Sequence, residues 1–537
     1  MKTSWNMNSN NLKIFKQMRT IIIQLKALAA ILVLVFMNSC EDNGVNDIFA
    51  TSDKLPITIY MESQPETYSQ WVSLMEVAEL NHAFNANGTY TMFAPNNEAM
   101  TTWLNGRSVS DITMEEAREL VFNHVVNKPY IHTQYNEGCI PDTNMVGNYI
   151  AIEFGEQGYQ SIKVNKESQI IQKDIEMTNG YINEINKVLD IQPTLQGVLS
   201  AQDGISIFME ALTATGYDDV LTQCDEYAAD RLRRKYFSVM AIADTTFNRF
   251  GITSLDDLKS RYSDSDDLTD KANKLNQWVA YHILDGINYA NILIDLDEEQ
   301  NFKNVMTLAD QKGIEIRDDR AIIINRTVTQ VSETEESIEE TRIYPGLRNI
   351  PAKNGCIHFI NNLMDFYQVK PCFIRQDIWD IANWRAIETF RSGVSGSTEW
   401  IDEDVFDEIS WHSEPEEVPI GYWQHWNHEW FKGGSGIILD LKKTNTGWVE
   451  FQTPYLAEGN YKVVFMGHKS PDGGQWNVYL DGVPAGVLDD YHTATGYAYG
   501  LTAITNAKFT SGVHTIRVEL LTGNGYIGFG DVKYTPL

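Results

Sequence analysis

Three short stretches near the C-terminal end combine aromatic rings with polar side chains. Sugars stack their C–H surfaces on aromatic faces, while amide and carboxylate groups bind the sugar hydroxyls. The segment "GYWQHWNHEWF" (421–431) supplies this mixture, "YHTATGYAYG" (491–500) supplies three tyrosines, and "TGNGYIG" (522–528) places an amide and a phenol in a turn. The candidate sugar-contacting residues are Trp423, Trp426, Trp430, Tyr497, Tyr499, Asn524 and Tyr526.

The same aromatic residues also permit a purely structural interpretation. Trp423, Trp426 and Trp430 are spaced three and four residues apart, as on one helical face that would be buried. Trp448 and Trp476 alternate with strand residues and are predicted to lie in a core. The segment 491–500 has too little aliphatic content for a core strand, so we predict a loop there.

Two histidines occupy matching contexts and are candidates for a general base. They are His124 in "VFNHVV" and His282 in "VAYHIL". A base needs a nucleophile or an orienting acid nearby, and neither segment shows a recurring Ser or Cys partner. We therefore expect both histidines to be hydrogen-bonded within their domains, and we predict no catalytic residues. A glycosidase with two carboxylates across a cleft remains an alternative, since acids are abundant, although no G-x-S-x-G, H-E-x-x-H or phosphate loop is present.

The composition argues against nucleic acid, metals and cofactors. The 537 residues carry a formal net charge of −31, whereas phosphate binding needs a basic footprint. No D-x-[DN]-x-[DN]-G loop or C-x-x-C pair is present, so we predict no metal and no cofactor. Calcium in the C-terminal region stays an open question, as does the disulfide pairing of the internal cysteines, Cys139, Cys224, Cys356 and Cys372.

The N-terminal segment has the features of an export signal that ends at a cysteine. Basic residues precede the apolar run 27–36, which is shorter than the ~20 residues needed to span a membrane. "LVLVFMNSCEDNG" (32–44) places Cys40 directly after the small residue Ser39 and resembles the lipobox of bacterial lipoproteins. That resemblance implies lipidation of Cys40 and anchoring by acyl chains. Glu41 and Asp42 resemble the signal that sends Bacteroidetes lipoproteins to the outer face of the outer membrane.

An internal repeat organises the middle of the chain. "YTMFAPNNEAM" (90–100) matches "FSVMAIADTTF" (237–247), and "TNGYINEINKVL" (178–189) matches "KNGCIHFINNLM" (353–364). Asn97 and Asp244 are predicted helix N-caps, and the Asn-Gly pairs at Asn179 and Asn354 are predicted tight turns. The second copy carries two polar insertions, 260–273 and 331–342, which we predict to be surface loops.

These blocks, in this order, resemble the fasciclin (FAS1) domain. The hallmark "FAPxNxAF" is close to "MFAPNNEAM", and the later Tyr-His pair is kept at Tyr281 and His282, whereas Asn123 replaces the tyrosine in the first copy. The resemblance implies two α+β domains, at 52–195 and 200–370, and an adhesive or scaffolding role. It implies no catalytic residue.

From residue 398 the sequence changes to short alternating segments bounded by Gly, Asn or Pro. Examples are "WVEFQTPYL" (448–456), "WNVYLDG" (476–482) and "VHTIRVELL" (513–521). Many short strands separated by turns predict an all-β jelly-roll sandwich. Together with the closing "GYIGFGDVKY", they resemble carbohydrate-binding modules of the galactose-binding-like type.

The sequence thus predicts a multidomain chain with two α+β FAS1-like domains followed by an all-β jelly-roll sandwich. The segments are a lipoprotein signal and lipobox (1–40), a tether (41–51), the two FAS1-like domains (52–195 and 200–370), a linker (371–397) and the sandwich (398–537). The resemblances imply a non-catalytic, cell-surface lipoprotein in the outer membrane that binds a polysaccharide or oligosaccharide. They also imply an outer-membrane transporter and its lipoproteins as partners. The alternative is cell adhesion or protein docking through the FAS1 pair.

Overall fold

The computed structural model describes residues 54–85, 89–228, 231–332, 335–377, 398–401, 409–423, 436–441, 446–491 and 497–537. Cys40, Trp426 and Trp430 lie outside these ranges, so the lipid anchor and the two tryptophan contacts stay predictions. Two α+β domains are followed by an all-β sandwich, as the sequence predicts.

The first domain is built on a seven-stranded sheet with the order β2-β1-β7-β6-β5-β4-β3. Its helices are α1 (Ile57–Glu62), α2 (Pro65–Val77), α3 (Asn97–Leu104) and α4 (Met114–Asn123). Its strands are β1 (Tyr90–Pro95), β2 (Val125–Val126), β3 (Gly138–Thr143), β4 (Tyr149–Gly155), β5 (Gly158–Val164), β6 (Ser168–Met177) and β7 (Gly180–Ile185). Strand β1 pairs in parallel with β7 and is buried on both faces, which explains its nearly continuous apolar sequence.

The second domain repeats the central parallel pair, now between β10 and β17. Its helices are α5 (Leu195–Ser200), α6 (Ser206–Thr215), α7 (Tyr217–Val220), α8 (Asp244–Arg249), α9 (Leu255–Tyr262), α10 (Lys274–Tyr281) and α11 (Ala290–Leu293). Its strands are β8 (Asp225–Ala228), β9 (Arg231–Arg234), β10 (Phe237–Ala241), β11 (Ile283–Asp285), β12 (Lys303–Met306), β13 (Gly313–Asp318), β14 (Ile322–Ser332), β15 (Glu335–Arg342), β16 (Ile350–Ala352) and β17 (Gly355–Phe359). They form sheets ordered β11-β10-β17-β16 and β12-β13-β14-β15 and the hairpin β8-β9.

The predicted helix caps are wrong by one residue, and the same side chains bind a neighbouring helix instead. Asn97 and Asp244 are the first residues of α3 and α8 rather than the caps before them. The Asn97 side chain accepts a hydrogen bond from the backbone N–H of Gln70 in α2 (3.0 Å). The Asp244 carboxylate accepts from the N–H groups of Ser206 and Ile207 at the start of α6 (both 3.0 Å). In both domains this position therefore ties the helix after the inner strand to the helix before it.

The two Asn-Gly turns are confirmed and close equivalent hairpins. Asn179 connects β6 to β7, and Asn354 connects β16 to β17. The glycines that follow have φ values of +137° at Gly180 and +155° at Gly355. A Cβ on Gly180 would lie 1.9 Å from the carbonyl oxygen of Tyr90, so only glycine fits at this approach of β7 to β1.

An apolar and polar contact surface joins the two α+β domains. The ring of Tyr149 in β4 lies 5.4 Å from Tyr236 and 6.3 Å from Tyr289 of the second domain. Arg348 forms an ion pair with Glu137 at 2.5 Å. The buried residues of this cluster are Cys139, Tyr149, Ala151, Tyr289 and Cys356. The internal cysteines are all free thiols, which answers the pairing question left open by the sequence.

The sandwich consists of two sheets whose inner faces share one core. Its strands are β18 (Ile374–Asp377), β19 (Thr398–Ile401), β20 (Ile409–Glu414), β21 (Ile420–Trp423), β22 (Gly436–Asp440), β23 (Thr446–Gln452), β24 (Gly459–Lys469), β25 (Gly474–Leu480), β26 (Val483–Asp489), β27 (Tyr497–Phe509), β28 (Thr515–Gly523) and β29 (Tyr526–Pro536). One sheet has the order β19-β21-β22-β29-β24-β27, with β18 also paired to β29, and the other has the order β20-β23-β28-β25-β26. Trp476 and Phe451 are among the residues buried between them.

Two segments predicted to be irregular form strands. Residues 374–377, assigned to the linker from sequence, form β18 and pair antiparallel with β29. Their Arg375 side chain binds the carboxylate of Asp531 (Nε–Oδ2, 2.6 Å), which explains how a polar segment holds its place in the sheet. The insertion 331–342 is also not a loop, because most of it forms β15 and pairs with β14.

Candidate functional sites

The two histidines of the repeat are buried structural residues. In the first domain, Nδ1 of His124 bonds the carbonyl oxygen of Leu120 (2.7 Å), and the backbone N–H of Leu189 donates to Nε2 (2.8 Å). In the second domain, Nδ1 of His282 bonds the carbonyl oxygen of Trp278 (2.8 Å), while Nε2 has no partner among the described residues. Burial lowers the pKa of both imidazoles to about 4. The prediction of hydrogen-bonded, structural histidines is confirmed.

The unequal bonding of the two histidines predicts unequal costs of substitution. His124→Leu leaves the buried N–H of Leu189 without an acceptor, whereas His282→Leu removes no bond at Nε2. An unsatisfied buried donor costs about 1–3 kcal/mol, so we expect His124→Leu to lower the free energy of unfolding by that much more than His282→Leu. Urea unfolding of both variants checks this. Equal costs would contradict the assigned bond.

A third histidine lies beside a thiol in the second domain, in an arrangement that superficially matches a Cys-His catalytic pair. Nε2 of His358 is 3.5 Å from Sγ of Cys356 and also bonds the carbonyl oxygen of Asn288 (2.9 Å). Both side chains are fully buried, and burial raises the pKa of the Cys356 thiol to about 12 and lowers that of the imidazole to about 4. A nucleophile needs an accessible thiolate, so this pair has a structural role.

The candidate aromatic residues that the structure describes lie on strands. Trp423 ends β21, so the helical interpretation of its spacing fails at this residue. Tyr497 and Tyr499 begin β27, where a loop was predicted. In the backbone pairing, Trp423 lies opposite Gly436 at one end of β22, and Tyr526 lies opposite Asp440 at the other. The short strand β22 therefore separates the tryptophan segment from the Tyr526 turn.

Asn524 and Tyr526 support a turn at one end of the sandwich. The Asn524 side chain donates to the carbonyl oxygen of Pro471 (2.8 Å), and the backbone N–H of Tyr526 donates to Asp472 (3.1 Å). The Tyr526 ring is largely buried against Ile438, and burial raises the pKa of its hydroxyl. The Asn524 side chain and the Tyr526 backbone hold the turn, and sugar contact there stays a prediction.

The same turn covers a carboxylate that the sequence analysis missed. Asp490 is fully buried, and its Oδ1 accepts hydrogen bonds from the backbone N–H of Gly474 (2.6 Å) and from Nε1 of Trp476 (3.2 Å). Its Oδ2 has no hydrogen-bond partner among the described residues. Burial raises the pKa of this carboxyl to about 7.

The clearest binding surface is the outward face of the β20-β23-β28-β25-β26 sheet. Trp448 points outward here, so its predicted core position is wrong, whereas Trp476 is buried as predicted. On β23, Val449 and Phe451 fill the core, and the period of two along a strand therefore turns Trp448 and Glu450 to the other face. We name this surface the sheet platform, and its members are His412, Trp448, Glu450, Asn477, Tyr479, Arg517 and Glu519.

The strand register sets the platform side chains in two adjacent rows. One row runs His412, Trp448, Glu519 and Asn477 across β20, β23, β28 and β25. The second row contains Glu450, Arg517 and Tyr479 on β23, β28 and β25. Trp448 and Tyr479 are thus two strands and two residues apart, which is about 12 Å between their backbones at the usual strand spacing and rise. Carboxylate, amide and guanidinium groups fill the space between the two rings.

Arg517 is fixed at the centre of the platform. Its Nε donates to Oε2 of Glu450 (2.7 Å), and its guanidinium lies 4.1 Å from the ring centre of Trp448. The side chains of Arg517 and Glu450 are 36% and 28% exposed, so both groups reach solvent. Within the described residues the Nη groups of Arg517 make no hydrogen bond, and they remain available as donors to a ligand. The sequence signal for this surface was the alternation of side chains in "GWVEFQ", which places Trp448 and Glu450 on the same face of the strand.

Two kinds of element are absent from the part of the chain that the structure describes. There, no group of three or more His, Cys, Asp or Glu side chains is arranged to hold a metal ion. No helix in that part is long and apolar enough to span a bilayer.

Comparisons with known proteins identify one domain by sequence. Residues 66–192 match the profile of the Fasciclin domain, so the chain contains a FAS1 domain at this position. Protein sll1483 of Synechocystis sp. is 28% identical over 156 residues, covering 28% of this chain and 83% of that protein.

Solved structures similar to parts of the chain have low overall scores. The FAS1 domain pair of the insect cell adhesion molecule Fasciclin I covers 55% of this chain and 96% of its own, with 15% identity and a TM-score of 0.26. The family 35 carbohydrate binding module from Clostridium thermocellum covers 26% of this chain and 99% of its own, with 14% identity and a TM-score of 0.18.

Proposed function

We propose that this protein is a non-catalytic, glycan-binding lipoprotein of the outer membrane that faces the cell exterior and serves a polysaccharide uptake system. The single observation that carries glycan binding is the sheet platform, where a partly exposed tryptophan and tyrosine flank charged and amide groups. The anchor and the location rest on the sequence around Cys40 and its two following acids. An outer-membrane transporter and its lipoproteins are the proposed partners.

The chemistry of the platform suits a sugar chain better than a compact polar ligand. Trp448 and Tyr479 offer two apolar surfaces that are far enough apart to contact two different rings of one sugar chain. Between them, Glu450 accepts hydrogen bonds from hydroxyls, and Arg517 donates to them. The face is open rather than a deep cavity, so a long polymer can lie across it without threading an end.

Buried imidazoles and a buried thiol support a non-catalytic role. His124, His282 and His358 each have a pKa lowered to about 4 by burial, and Cys356 lies away from solvent. General acid–base catalysis needs a group with a pKa near the working pH and within reach of the substrate. None of these groups meets both conditions.

Affinity electrophoresis against plant, fungal and bacterial polysaccharides tests the proposed function. We expect residues 54–537 to be retarded by one polymer, and Trp448→Ala to weaken binding about tenfold or more through loss of a stacking ring. Tyr479→Ala should weaken it by a smaller factor. The fragment must include β18, because the sandwich sheet uses residues 374–377.

The matched control is Trp400→Ala, which removes an exposed tryptophan (49% exposed) from the other sheet. It should leave binding unchanged. Retardation that survives both platform substitutions but is lost in Trp423→Ala would transfer the site to the tryptophan segment predicted from sequence. The absence of retardation by any polymer would contradict the proposed glycan binding.

Protein docking through the FAS1 pair is the second candidate. The inter-domain contact of Tyr149 with Tyr236 and Tyr289 gives the pair a continuous, supported surface of the kind that a scaffold needs. The hairpin formed by β14 and β15 in the second domain also favours this candidate.

A further inference from the structure

The second domain carries a two-stranded extension that the first domain lacks. Residues 322–324 of β14 are buried and pair with both β13 and β15. Beyond a register shift, residues 327–332 of β14 pair with β15 alone. We name this extension the arm, defined as residues 327–332 and 335–339. An isolated two-stranded hairpin is only marginally stable in water, so an element of this kind gains from a partner.

The arm exposes aliphatic side chains that have no role in the domain core. Val328 and Ile338 lie directly opposite each other and are 50% and 54% exposed. Val331 on the same arm is 60% exposed. Single exposed aliphatic residues are ordinary, whereas a cross-strand pair on a projecting hairpin forms a patch that a partner can cover. Aliphatic side chains lack the flat ring that a sugar site uses, so this patch favours a protein ligand.

A groove lies at the base of the arm. It has a volume of about 670 Å³, and its lining includes Ile338 and Glu339 of the arm together with Phe250 and Phe366. Both rings are 41% exposed. Strand β15 is the last strand of its sheet among the described residues, so its outer edge presents backbone N–H and C=O groups. An extended segment can pair with this edge while its apolar side chains meet these two rings.

The charges on the arm define the kind of segment that fits. Glu336 and Glu339 are exposed and form no ion pair with any described residue. Glu340 is already neutralised by Arg326 (Nε–Oε2, 2.6 Å) and by Arg342. The edge therefore keeps an uncompensated negative charge, which repels a second copy of the arm and attracts a basic strand.

We propose that the arm and its groove dock an extended, basic segment of a partner protein, which adds a strand to the edge of β15. Alternate apolar side chains of that segment lie against Ile338, Phe250 and Phe366, and its basic side chains, on the opposite face of the added strand, lie beside Glu339, while Glu336 adds negative charge at the end of the Ile338 face. The surface is distinct from the sheet platform and does not depend on glycan binding.

The test measures fluorescence anisotropy of two labelled peptides with residues 54–537. One peptide alternates Lys and Val, and the other alternates Glu and Val. We expect the Lys-Val peptide to bind with a dissociation constant in the micromolar range and the Glu-Val peptide to bind at least about tenfold more weakly. The double variant Val328→Thr/Ile338→Thr should weaken Lys-Val binding about tenfold, since threonine keeps strand propensity but loses apolar contact.

Two further variants distinguish this docking from nonspecific peptide binding. Glu336→Lys/Glu339→Lys should reverse the preference toward the Glu-Val peptide. Ile171→Thr, at an exposed strand position of the first domain (53% exposed), should bind like the parent chain. The proposal is overturned by equal binding of the two peptides, by binding that survives the double threonine variant, or by no binding. It is also overturned if sedimentation shows a dimer that the threonine variant dissolves, or if the threonine variant loses polysaccharide binding instead.

Discussion

Replacing Asp490 by asparagine is expected to stabilise the sandwich, and to do so more at pH 8 than at pH 5. The pKa of Asp490 is raised from 3.8 to about 7 in the folded protein, mainly by burial. Between these values the folded state holds a proton that the unfolded chain releases. Stability therefore falls as the pH rises from about 4 to about 7, and the full cost is present above pH 7. The difference in pKa corresponds to roughly 4 kcal/mol.

Asparagine keeps the useful contacts of Asp490 and removes the charge. Its Oδ1 can still accept from the backbone of Gly474 and from Trp476, and its neutral amide occupies the place of the unpartnered Oδ2. We expect the gain in unfolding free energy from Asp490→Asn to be roughly 2–3 kcal/mol larger at pH 8 than at pH 5.

Urea unfolding at both pH values, followed by hydrogen exchange in peptides from β25 and β28, measures this difference. Asp489→Asn is the matched control, since Asp489 is the exposed neighbour, and it should give no comparable change with pH. A gain that is equal at pH 5 and pH 8 would show that Asp490 does not titrate in this range.

Removing the guanidinium of Arg375 should destabilise the sandwich by about 3–5 kcal/mol, because the buried carboxylate of Asp531 then loses the opposite charge that offsets its burial. The carboxylate of Asp531 is fully buried, and Arg375 binds it through Nε at 2.6 Å and through Nη2. Arg375→Met keeps much of the apolar stem, so the loss is largely electrostatic. Calorimetry of residues 54–537 should show the sandwich transition at a lower temperature.

A double variant distinguishes the contribution of the ion pair to stability from that of the other contacts of β18. Arg375→Met/Asp531→Leu removes both charges and should recover most of the lost stability, since apolar replacement of a whole buried pair is often neutral. Lys508→Met breaks an exposed pair with Glu458 and should cost at most about 1 kcal/mol. If the double variant is no more stable than Arg375→Met, the ion pair is not the source of the loss.

The central strands of the α+β domains were predictable because their chemistry is local. The Asn-Gly turns at Asn179 and Asn354 require φ values and close approaches that glycine permits. The Asn-Gly dipeptide by itself therefore indicates each turn. Helix caps were less predictable. Asn97 and Asp244 have cap chemistry, yet they satisfy N–H groups of a neighbouring helix that is distant in sequence.

The sandwich shows where pattern alone is insufficient. Trp448 and Trp476 both alternate with apolar neighbours, and residue type gave no means to decide which faces the core. Which face of the strand points to the core depends on the strands that pair with it. Val449 and Phe451 of β23 point into the core, which leaves Trp448 on the outer face. Strand β18 was missed because its partner is β29, at the far end of the chain, and its polar residues bind residues distant in sequence, such as Asp531, Gln452 and Tyr534.

Strand β18 also has a consequence for how the sandwich responds to a pulling force. The chain leaves the second α+β domain and enters the sandwich through residues 374–377, which lie antiparallel to the final strand. In the proposed arrangement of an N-terminal lipid anchor and a polymer bound by the sandwich, a pull between the two reaches this strand first. The backbone pairing and the Arg375 bond to Asp531 resist detachment of β18, whereas the core strands behind it receive the load afterwards. We expect the pairing of β18 with β29 to set the force at which the sandwich begins to open.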